Sequence, residues 1–303
     1  MTAPAFDYLS ARLRFAPSPN GYLHLGHAYS ALENERWARG LHGTLLLRIE
    51  DTDLGRARQH YVEAILSDLL WLGVSFEGHV RKQSDHLTEY EAALRHLWDA
   101  GLIYPAPASR SEIGKAVQRL QAEGIDWPHD PDGAPHYPFG ERDRQNKPNK
   151  FPAHADPRTD VPLRLDMQAA LRHLYDQTLL AQSLAEPQGP ITQQPLDPGA
   201  WGDVLLRGRD RPATYHLAVV VDDAAQQITH VVRGEDMAPA TAIHRLLQML
   251  LGLRAPVYHH HRLIKGTDDR KLSKSEGAKS LRTLRKQGVD PASLRARLLS
   301  TQP

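Results

Sequence analysis

The hydrophobic pattern near the start of the chain predicts a strand, a tight turn and a helix in close succession. The apolar run Leu13–Ala16 is typical of a short strand, and the prolines at 17 and 19 end it because proline cannot donate to a sheet ladder. Asn20-Gly21 then favours a turn, since both residues tolerate positive φ. From about Leu25 the apolar spacing becomes helical and continues to Trp37. A helix N-terminus is therefore expected directly after the turn.

The next apolar segment predicts a second strand with acidic residues at its carboxyl end. The continuous run 43–50 is typical of a strand that is buried on both faces of a parallel sheet, and it ends in Glu50-Asp51-Thr52-Asp53. A helix with apolar residues from Tyr61 to Leu72 follows. Because open α/β sheets bind ligands at the carboxyl ends of their strands, we expect Glu50 to contact a ligand and Asp53 to cap the helix.

The remaining pattern predicts a doubly wound α/β fold with an insertion. Strands that alternate with helices indicate a parallel sheet of the Rossmann type. Residues 105–162 are crowded with Pro, His and charged residues, which indicates an irregular insertion between the two halves of the sheet. We predict a helix from Tyr90 to Gly101, strands at 203–207, 214–223, 228–236 and 257–264, and a helix at 241–251 that serves core packing.

These elements divide the chain into four consecutive regions. Residues 1–104 form the first half of the Rossmann-type domain, and residues 105–200 form the insertion. The second half of the domain spans residues 201–260. Residues 261–303 hold a lysine-rich loop and a short helical segment.

Composition excludes several classes of protein. Hydrophobic residues make up 41% and charged residues 24% of the chain, which is ordinary for a globular protein. The absence of Cys excludes disulfides, thiolate catalysis and Cys-ligated zinc within this chain. No apolar run approaches the roughly 20 residues that a membrane helix needs, and no signal-peptide pattern is present, so a cytoplasmic protein is expected. His129, His136 and His154 fit no common metal-ligand spacing, and we expect no protein metal site.

The net charge of +1 conceals a basic C-terminal segment. Residues 261–303 contain eleven Lys and Arg against four Asp and Glu, a net charge of +7. Such a segment suits a polyanion such as RNA, or the phosphates of a nucleotide. On charge alone, a solvated helical face is an equally good interpretation.

Two distant segments carry residues suited to binding a nucleotide. At the predicted helix N-terminus, His24 and His27 flank Gly26, where free N–H groups, the helix dipole and the missing side chain favour a flat or anionic ligand. Far downstream, Lys271-Leu-Ser-Lys-Ser275 alternates small residues with lysines, which is typical of a cationic loop that closes over phosphates. Either segment alone is a weak signal, and the pair predicts a nucleotide site.

The same two segments resemble the His-Ile-Gly-His and Lys-Met-Ser-Lys-Ser signatures of the class I aminoacyl-tRNA synthetases. Further motifs narrow the resemblance to the glutamate-specific branch, and they lie in the order found in that family. These motifs are Arg14–Pro19, Leu47–Asp53, Tyr215–Ala218 and Thr229–Glu235. The resemblance covers nearly the whole catalytic region, and it implies a Rossmann-type catalytic domain that is a ligase.

The resemblance also implies the substrates and the residues that hold them. ATP is expected with Mg²⁺, and the catalytic residues are expected to be His24, His27 and Lys274. The residues implied in ATP binding are Gly26, His24, His27, Lys271, Ser273, Lys274 and Ser275. The residues implied in L-glutamate binding are Arg14, Phe15, Ala16, Pro17, Ser18, Glu50, Tyr215 and Arg233. Arginine suits carboxylates and Glu50 suits the ammonium group, but the sequence does not decide which arginine takes the side-chain carboxylate.

Two features match a truncated branch of the family, which activates glutamate without tRNA and attaches it to the queuosine base of tRNA(Asp). The sequence ends soon after Ser275, so we expect none of the anticodon-binding domains of full glutamyl-tRNA synthetases, and Val219 stands where those enzymes carry Asn. Ala106 and Ala108 occupy the positions of the zinc-binding cysteines of many members, so zinc is not expected. We expect a monomer that meets no membrane.

Three other functions stay open at this point. A truncated glutamyl-tRNA synthetase would charge tRNA itself. A nucleotidyltransferase such as a pantothenate-synthetase-like ligase shares the His-x-Gly-His turn, although the Leu47–Asp53 motif argues against it. A non-catalytic RNA-binding paralogue would show the loss of an activating motif, and no such loss is present.

Overall fold

The computed structural model describes residues 10–152, 161–175, 177–264 and 279–300. The strands within these residues are β1 (Arg12–Phe15), β2 (Thr44–Ile49), β3 (Arg81–Lys82), β4 (Ile103–Pro105), β5 (Leu163–Leu165), β6 (Leu180–Ser183), β7 (Thr192–Pro195), β8 (Leu205–Arg207), β9 (His230–Gly234) and β10 (Val257–His261). The α-helices are α1 (Leu25–Gly40), α2 (Gln59–Trp71), α3 (Leu87–Asp99), α4 (Arg110–Ala122), α5 (Gly140–Gln145), α6 (Met167–His173), α7 (Tyr215–Ala225), α8 (Thr241–Leu250), α9 (Leu281–Lys286) and α10 (Pro291–Ser300).

The central β-structure is the doubly wound parallel arrangement that the sequence predicts. On one side β1, β2 and β3 pair in parallel, and on the other β9, β10 and β6 pair in parallel, with β7 antiparallel at the edge. The two sides meet where the N–H of Thr229, just before β9, donates to the carbonyl of Arg12 over 2.9 Å. The two inner strands are therefore β1 and β9. The β-structure extends from β1 through β2 to β3 in one direction, and from β9 through β10 and β6 to β7 in the other. Such a switch point leaves a crevice at the carboxyl ends of the two inner strands.

One strand prediction in the second half is wrong, and another is right about the strand but wrong about its sheet. The segment 203–207 does contain β8, but β8 belongs to a separate antiparallel sheet with β4 and β5. The segment 214–223 is not a strand but most of helix α7. Because α7 is buried around most of its circumference, its apolar run shows no helical period, and its three consecutive valines favour a strand on local preference alone. Packing against α3 and α8 overrides that preference.

The predicted cap of α2 is also wrong, and the insertion is more regular than expected. Helix α2 starts after Arg58 without a side-chain cap. The Asp53 carboxylate instead forms ion pairs with Arg56 and Arg211. Within the stretch expected to be irregular lie α4 and α5, and α4 begins with a capping box formed by Ser109 and Glu112. His154, one of the three histidines whose spacing fits no common metal site, lies outside the described residues.

Two hydrophobic cores support the crevice from opposite sides. One joins α1, α2, β1, β2 and the C-terminal helices, and it contains the fully buried Leu13. The other joins α3, α7 and α8 to the antiparallel sheet. In the part of the chain that the structure describes, no helix combines the length and apolar character needed to cross a bilayer.

We expect Leu13→Ala to lower the free energy of unfolding by about 2–5 kcal/mol, because it removes buried methyl groups from β1 and leaves a cavity. Leu70→Ala is the matched control, since Leu70 on α2 is 80% exposed and its loss should change stability by less than about 0.5 kcal/mol. Urea denaturation followed by circular dichroism measures both. Equal losses in the two variants would contradict the described core.

Candidate active site

A cavity of ≈ 560 Å³ lies at the switch point, between the carboxyl ends of β1 and β9 and the N-terminus of α1. It brings together all the sequence-predicted ligand-binding residues that the structure describes. Those residues are Arg14, Phe15, Ala16, Pro17, Ser18, His24, Gly26, His27, Glu50, Tyr215 and Arg233. The predicted roles of Lys271, Ser273, Lys274 and Ser275 lie outside the described residues.

Two histidines form the start of α1 at one wall of the cavity. His24 Nδ1 accepts from the N–H of Gly26 at 3.1 Å, and His27 Nδ1 accepts from the N–H of His24 at 3.2 Å. These reciprocal bonds make a capping box, and the ring centroids lie 3.9 Å apart. A Cβ on Gly26 would stand 3.0 Å from His24 Cε1, so glycine lets the ring fold back over the turn. The positive end of the helix dipole thus faces the cavity, as a phosphate group requires.

Arg14, at the second wall, is buried and shares its counter-ion. Its Nε donates to Asp223 Oδ1 at 3.0 Å, and the same oxygen accepts from Arg48 Nη1 at 2.7 Å. Burial alone would raise the pKa of Asp223, but Arg14 and Arg48 outweigh it and hold that pKa below its usual value. Asp223 is therefore a carboxylate, and it offsets part of the positive charge that Arg14 brings to the cavity.

Glu50 lines the cavity beside these groups, at the end of β2. One carboxylate oxygen accepts from Arg48 Nη2 at 3.3 Å. Burial raises the pKa of Glu50, while Arg48 and Arg14 oppose that rise. An ammonium group in the cavity would favour the charged form of Glu50 in the same way, because opposite charges lower the pKa of a carboxyl group.

Asp222, next to Asp223 in α7, anchors the helix to residues of the first half of the domain. Its carboxylate accepts from Arg81 Nε at 2.8 Å, Gln83 Nε2 at 2.7 Å and the Tyr90 hydroxyl at 2.9 Å. These partners follow β2 and lie on or before α3, so they tie α7 to the first half of the domain. The two neighbouring aspartates therefore hold the cavity walls together.

Arg233, at the end of β9, differs from Arg14 in the charge of its partners. Its guanidinium donates to Thr241 Oγ1 at 2.7 Å, to His244 Nδ1 at 2.9 Å and to His260 Nε2 at 3.3 Å. Burial lowers the pKa of His260 to about 3 and holds the pKa of His244 well below its usual value, and the charge of Arg233 adds to both effects. All three partners are therefore neutral near pH 7. Among the described residues, no carboxylate forms an ion pair with Arg233.

Tyr215 begins α7 and completes this part of the cavity. Burial raises the pKa of its phenol, so the hydroxyl keeps its proton and can donate. Its ring meets His244 edge-on, with centroids 5.5 Å apart.

The sequence interpretation missed the residues that hold the predicted ones in place. Arg48 and Asp223 fix Arg14, and Thr241, His244 and His260 fix Arg233. The assignment of α8 to core packing alone is wrong, because its buried Thr241 and His244 bond to Arg233. A signal was present, since a histidine three residues after a threonine puts two polar groups on one face of a largely apolar helix.

The chemistry of the cavity follows from its charges. Among its charged lining residues, Arg233 has no anionic partner in the described part of the chain, the charge of Arg14 is partly offset, and Glu50 supplies a carboxylate. These three side chains suit a zwitterion that carries two carboxylates and an ammonium group. The helix N-terminus beside them suits a phosphate. In the described ranges, no group of three His, Asp or Glu side chains is placed to hold a metal ion.

The chain is similar to known aminoacyl-tRNA synthetases. A family model described as tRNA synthetases class I (E and Q), catalytic domain, matches residues 10–300. The chain is 44% identical to the Glutamyl-Q tRNA(Asp) synthetase of Rhodobacter capsulatus, over 93% of this chain and 97% of that protein. It is 33% identical to the glutamate–tRNA ligase of Aquifex aeolicus over 93% of this chain, but it spans only 55% of that ligase.

Solved structures agree on the fold. The glutamate tRNA ligase of Elizabethkingia meningosepticum, in complex with its amino acid, superposes with a TM-score of 0.69 at 23% identity, over 96% of this chain and 60% of that one. The methionyl-tRNA synthetase of Mycobacterium tuberculosis, in complex with methionyl-adenylate, gives 0.58 at 13% identity, over 97% of this chain and 64% of that one. The predicted Rossmann-type catalytic fold is thus confirmed.

We expect Asp223→Ala to lower the free energy of unfolding by about 3–5 kcal/mol, because it leaves Arg14 and Arg48 buried without their shared counter-ion. Glu123→Ala is the control, since it removes a carboxylate from an exposed pair with Arg119 and should change stability by less than about 1 kcal/mol. Chemical denaturation of both variants measures the difference. A loss of stability in Asp223→Ala no larger than in the control would contradict a structural role for the shared carboxylate.

Proposed function

Because the chain belongs to the catalytic-domain family of class I tRNA synthetases for glutamate and glutamine, we propose that it uses ATP to activate L-glutamate and transfers the glutamyl group to RNA. Family membership makes the chain a ligase. The observation that best supports glutamate as the amino acid is the buried Arg233, whose described partners are all neutral. A carboxylate in the cavity would supply the missing anion.

Glutamate fits the charges of the cavity better than glutamine does. Its two carboxylates can meet Arg14 and Arg233, and its ammonium group can meet Glu50. The Tyr215 hydroxyl can donate a further hydrogen bond. Glutamine would leave one arginine in the cavity without a carboxylate, and a buried unpaired charge is unfavourable.

The activation step requires little covalent chemistry from the protein. An oxygen of the glutamate α-carboxylate attacks the α-phosphorus of ATP, the bond from that phosphorus to the bridging oxygen breaks, and pyrophosphate leaves. Catalysis is then positioning and stabilisation of charge on the phosphates. We propose that His24 and His27 hold ATP at the start of α1. By resemblance, Lys274 and its neighbours Lys271, Ser273 and Ser275 would bind the phosphates, and Mg²⁺ would arrive with the nucleotide.

For the acceptor, we propose the queuosine base of tRNA(Asp), with activation that needs no tRNA. The chain matches the Rhodobacter capsulatus relative over nearly the whole length of that protein, whereas it spans about half of the glutamate–tRNA ligases. In the transfer step, a hydroxyl of the base attacks the glutamyl carbonyl of the adenylate and AMP leaves. The second candidate is a truncated ligase that charges the terminal ribose of tRNA. The 33–35% identity to glutamate–tRNA ligases supports this candidate.

We expect Arg233→Ala and Arg14→Ala each to raise the KM for glutamate by about 30-fold or more while the KM for ATP changes less than about 3-fold. Each variant removes a charge-assisted hydrogen bond to a carboxylate, worth about 2–3 kcal/mol. Glutamate-dependent exchange of pyrophosphate into ATP measures both constants. Arg39→Ala, on the exposed part of α1, is the control. An equal loss for glutamate and ATP would refute the assignment of the two arginines.

A labelling experiment identifies the acceptor. Radioactive glutamate is offered with tRNA(Asp) that carries queuosine but lacks its terminal adenosine, and with a tRNA(Asp) transcript that lacks queuosine but is complete at its end. We expect label only on the first RNA, because the proposed nucleophile is on the modified base. Label only on the second RNA would instead establish charging of the terminal ribose, and complete tRNA(Glu) is included to detect an ordinary ligase.

A further inference from the structure

The hydrogen bonds around Arg233 fix the protons of its neighbours. A guanidinium has no acceptor, so each partner of Arg233 must accept. His244 Nδ1 therefore carries a lone pair, and its proton sits on Nε2, which lies 3.2 Å from His216 Nδ1. The chain of donation runs from Arg233 to His244 and on to His216. In this order, His244 accepts through Nδ1 and donates through Nε2, and His216 accepts through Nδ1.

Thr241 closes a second branch of the same network. Its hydroxyl oxygen accepts from Arg233 Nη2 at 2.7 Å. The hydroxyl also lies 3.2 Å from His260 Nε2, whose one lone pair faces both this hydroxyl and Arg233 Nε. Thr241 is fully buried and His244 is 2% exposed, so bulk water cannot replace either partner. The orientation of Arg233 is thus determined from α8 and β10.

None of these partners carries a negative charge, which separates Arg233 from the buried Arg14 in the cavity wall and from Arg48 behind it. Arg14 and Arg48 share Asp223, and Arg48 also meets Glu50. Burial lowers the pKa of His216 to about 4, so the outer member of the chain is neutral as well. His244 occupies the position beside Arg233 where a carboxylate of the protein could serve as its counter-ion.

We propose that His244 is a positioning residue that, together with Thr241, aims the Arg233 guanidinium into the cavity and leaves its charge uncompensated for the side-chain or α-carboxylate of glutamate. The inference rests on the proposed function, and it goes beyond it by assigning substrate selection to residues of α8 that line no part of the cavity. A neutral acceptor at position 244 keeps the charge available. An acid at the same position would satisfy Arg233 from within, and the substrate carboxylate would then lose its partner.

The test compares His244→Gln with His244→Glu, two side chains of nearly equal shape that differ in charge. Pyrophosphate exchange gives kcat and the KM for glutamate and for ATP. We expect His244→Gln to stay within about 5-fold of the wild type in every constant. We expect His244→Glu to raise the KM for glutamate by about 100-fold with little change in the KM for ATP. The new carboxylate would pair with Arg233, and the substrate carboxylate would then lose its charged hydrogen-bond partner.

A matched pair at Thr241 keeps the test independent of folding at position 244. Thr241→Ser retains the acceptor and Thr241→Val removes it with almost the same volume. We expect Thr241→Val to raise the KM for glutamate by about 10-fold, whereas Thr241→Ser, which keeps the acceptor, should have a KM for glutamate close to that of the wild type. His230→Gln is the control for a buried histidine elsewhere on β9, where the imidazole bonds to Thr229 and not to Arg233. Thermal melting of each variant records its stability.

The outcomes separate this inference from the proposed function. Wild-type exchange that does not depend on glutamate would overturn the proposed function. Glutamate-dependent wild-type exchange with equal constants for His244→Gln and His244→Glu, or with a parallel rise for glutamate and ATP, would overturn the inference alone. If His244→Glu does not fold, the Thr241 pair decides, and equal constants for Thr241→Val and Thr241→Ser overturn it.

Discussion

The structure depends on a buried carboxylate that joins the two halves of the sheet. Asp223, on α7 in the second half, accepts from Arg14 at the end of β1 and from Arg48 in β2. A parallel sheet with a switch point leaves its inner strands diverging at their carboxyl ends, so something must hold the helices beside the crevice. Here the link is ionic, and it lies directly under the ligand cavity. The same contact therefore sets both the shape of the cavity and the charge that faces it.

Arg14 and Arg233 show how partners decide what an identical side chain can do. Arg14 lies against an anion, and its charge is partly offset. Arg233 lies against a hydroxyl and two imidazoles that are neutral near pH 7. Burying a cation among neutral groups costs stability, and such a cost is common where a protein prepares a site for a ligand of opposite charge. The difference between the two arginines is not visible in either side chain itself.

The elements and site residues that could be predicted from the sequence are those whose signal lies within a few neighbouring residues. The strand, turn and helix around His24 and His27 follow from proline, glycine and apolar spacing over a few residues, and they form as predicted. Helix α7 was predicted as a strand, because burial around most of its circumference removes the polar face that reveals a helical period. The role of β8 was also mistaken, since the pairing of β4, β5 and β8 joins segments far apart in the chain. The Asp223 partner of Arg14 was missed for the same reason, since it lies on an element distant in sequence. Thr241 and His244 lie close to Arg233 in the chain, and they were missed because α8 was assigned to core packing alone.

The capping box at the start of α1 has a consequence for the histidines that form it. Each ring gives its Nδ1 lone pair to a backbone N–H, so the neutral imidazole keeps its hydrogen on Nε2. Both rings are thereby restricted to a single tautomer by the geometry of the first helical turn. The first turn of α1 and the tautomers of these two side chains are therefore set by the same two hydrogen bonds.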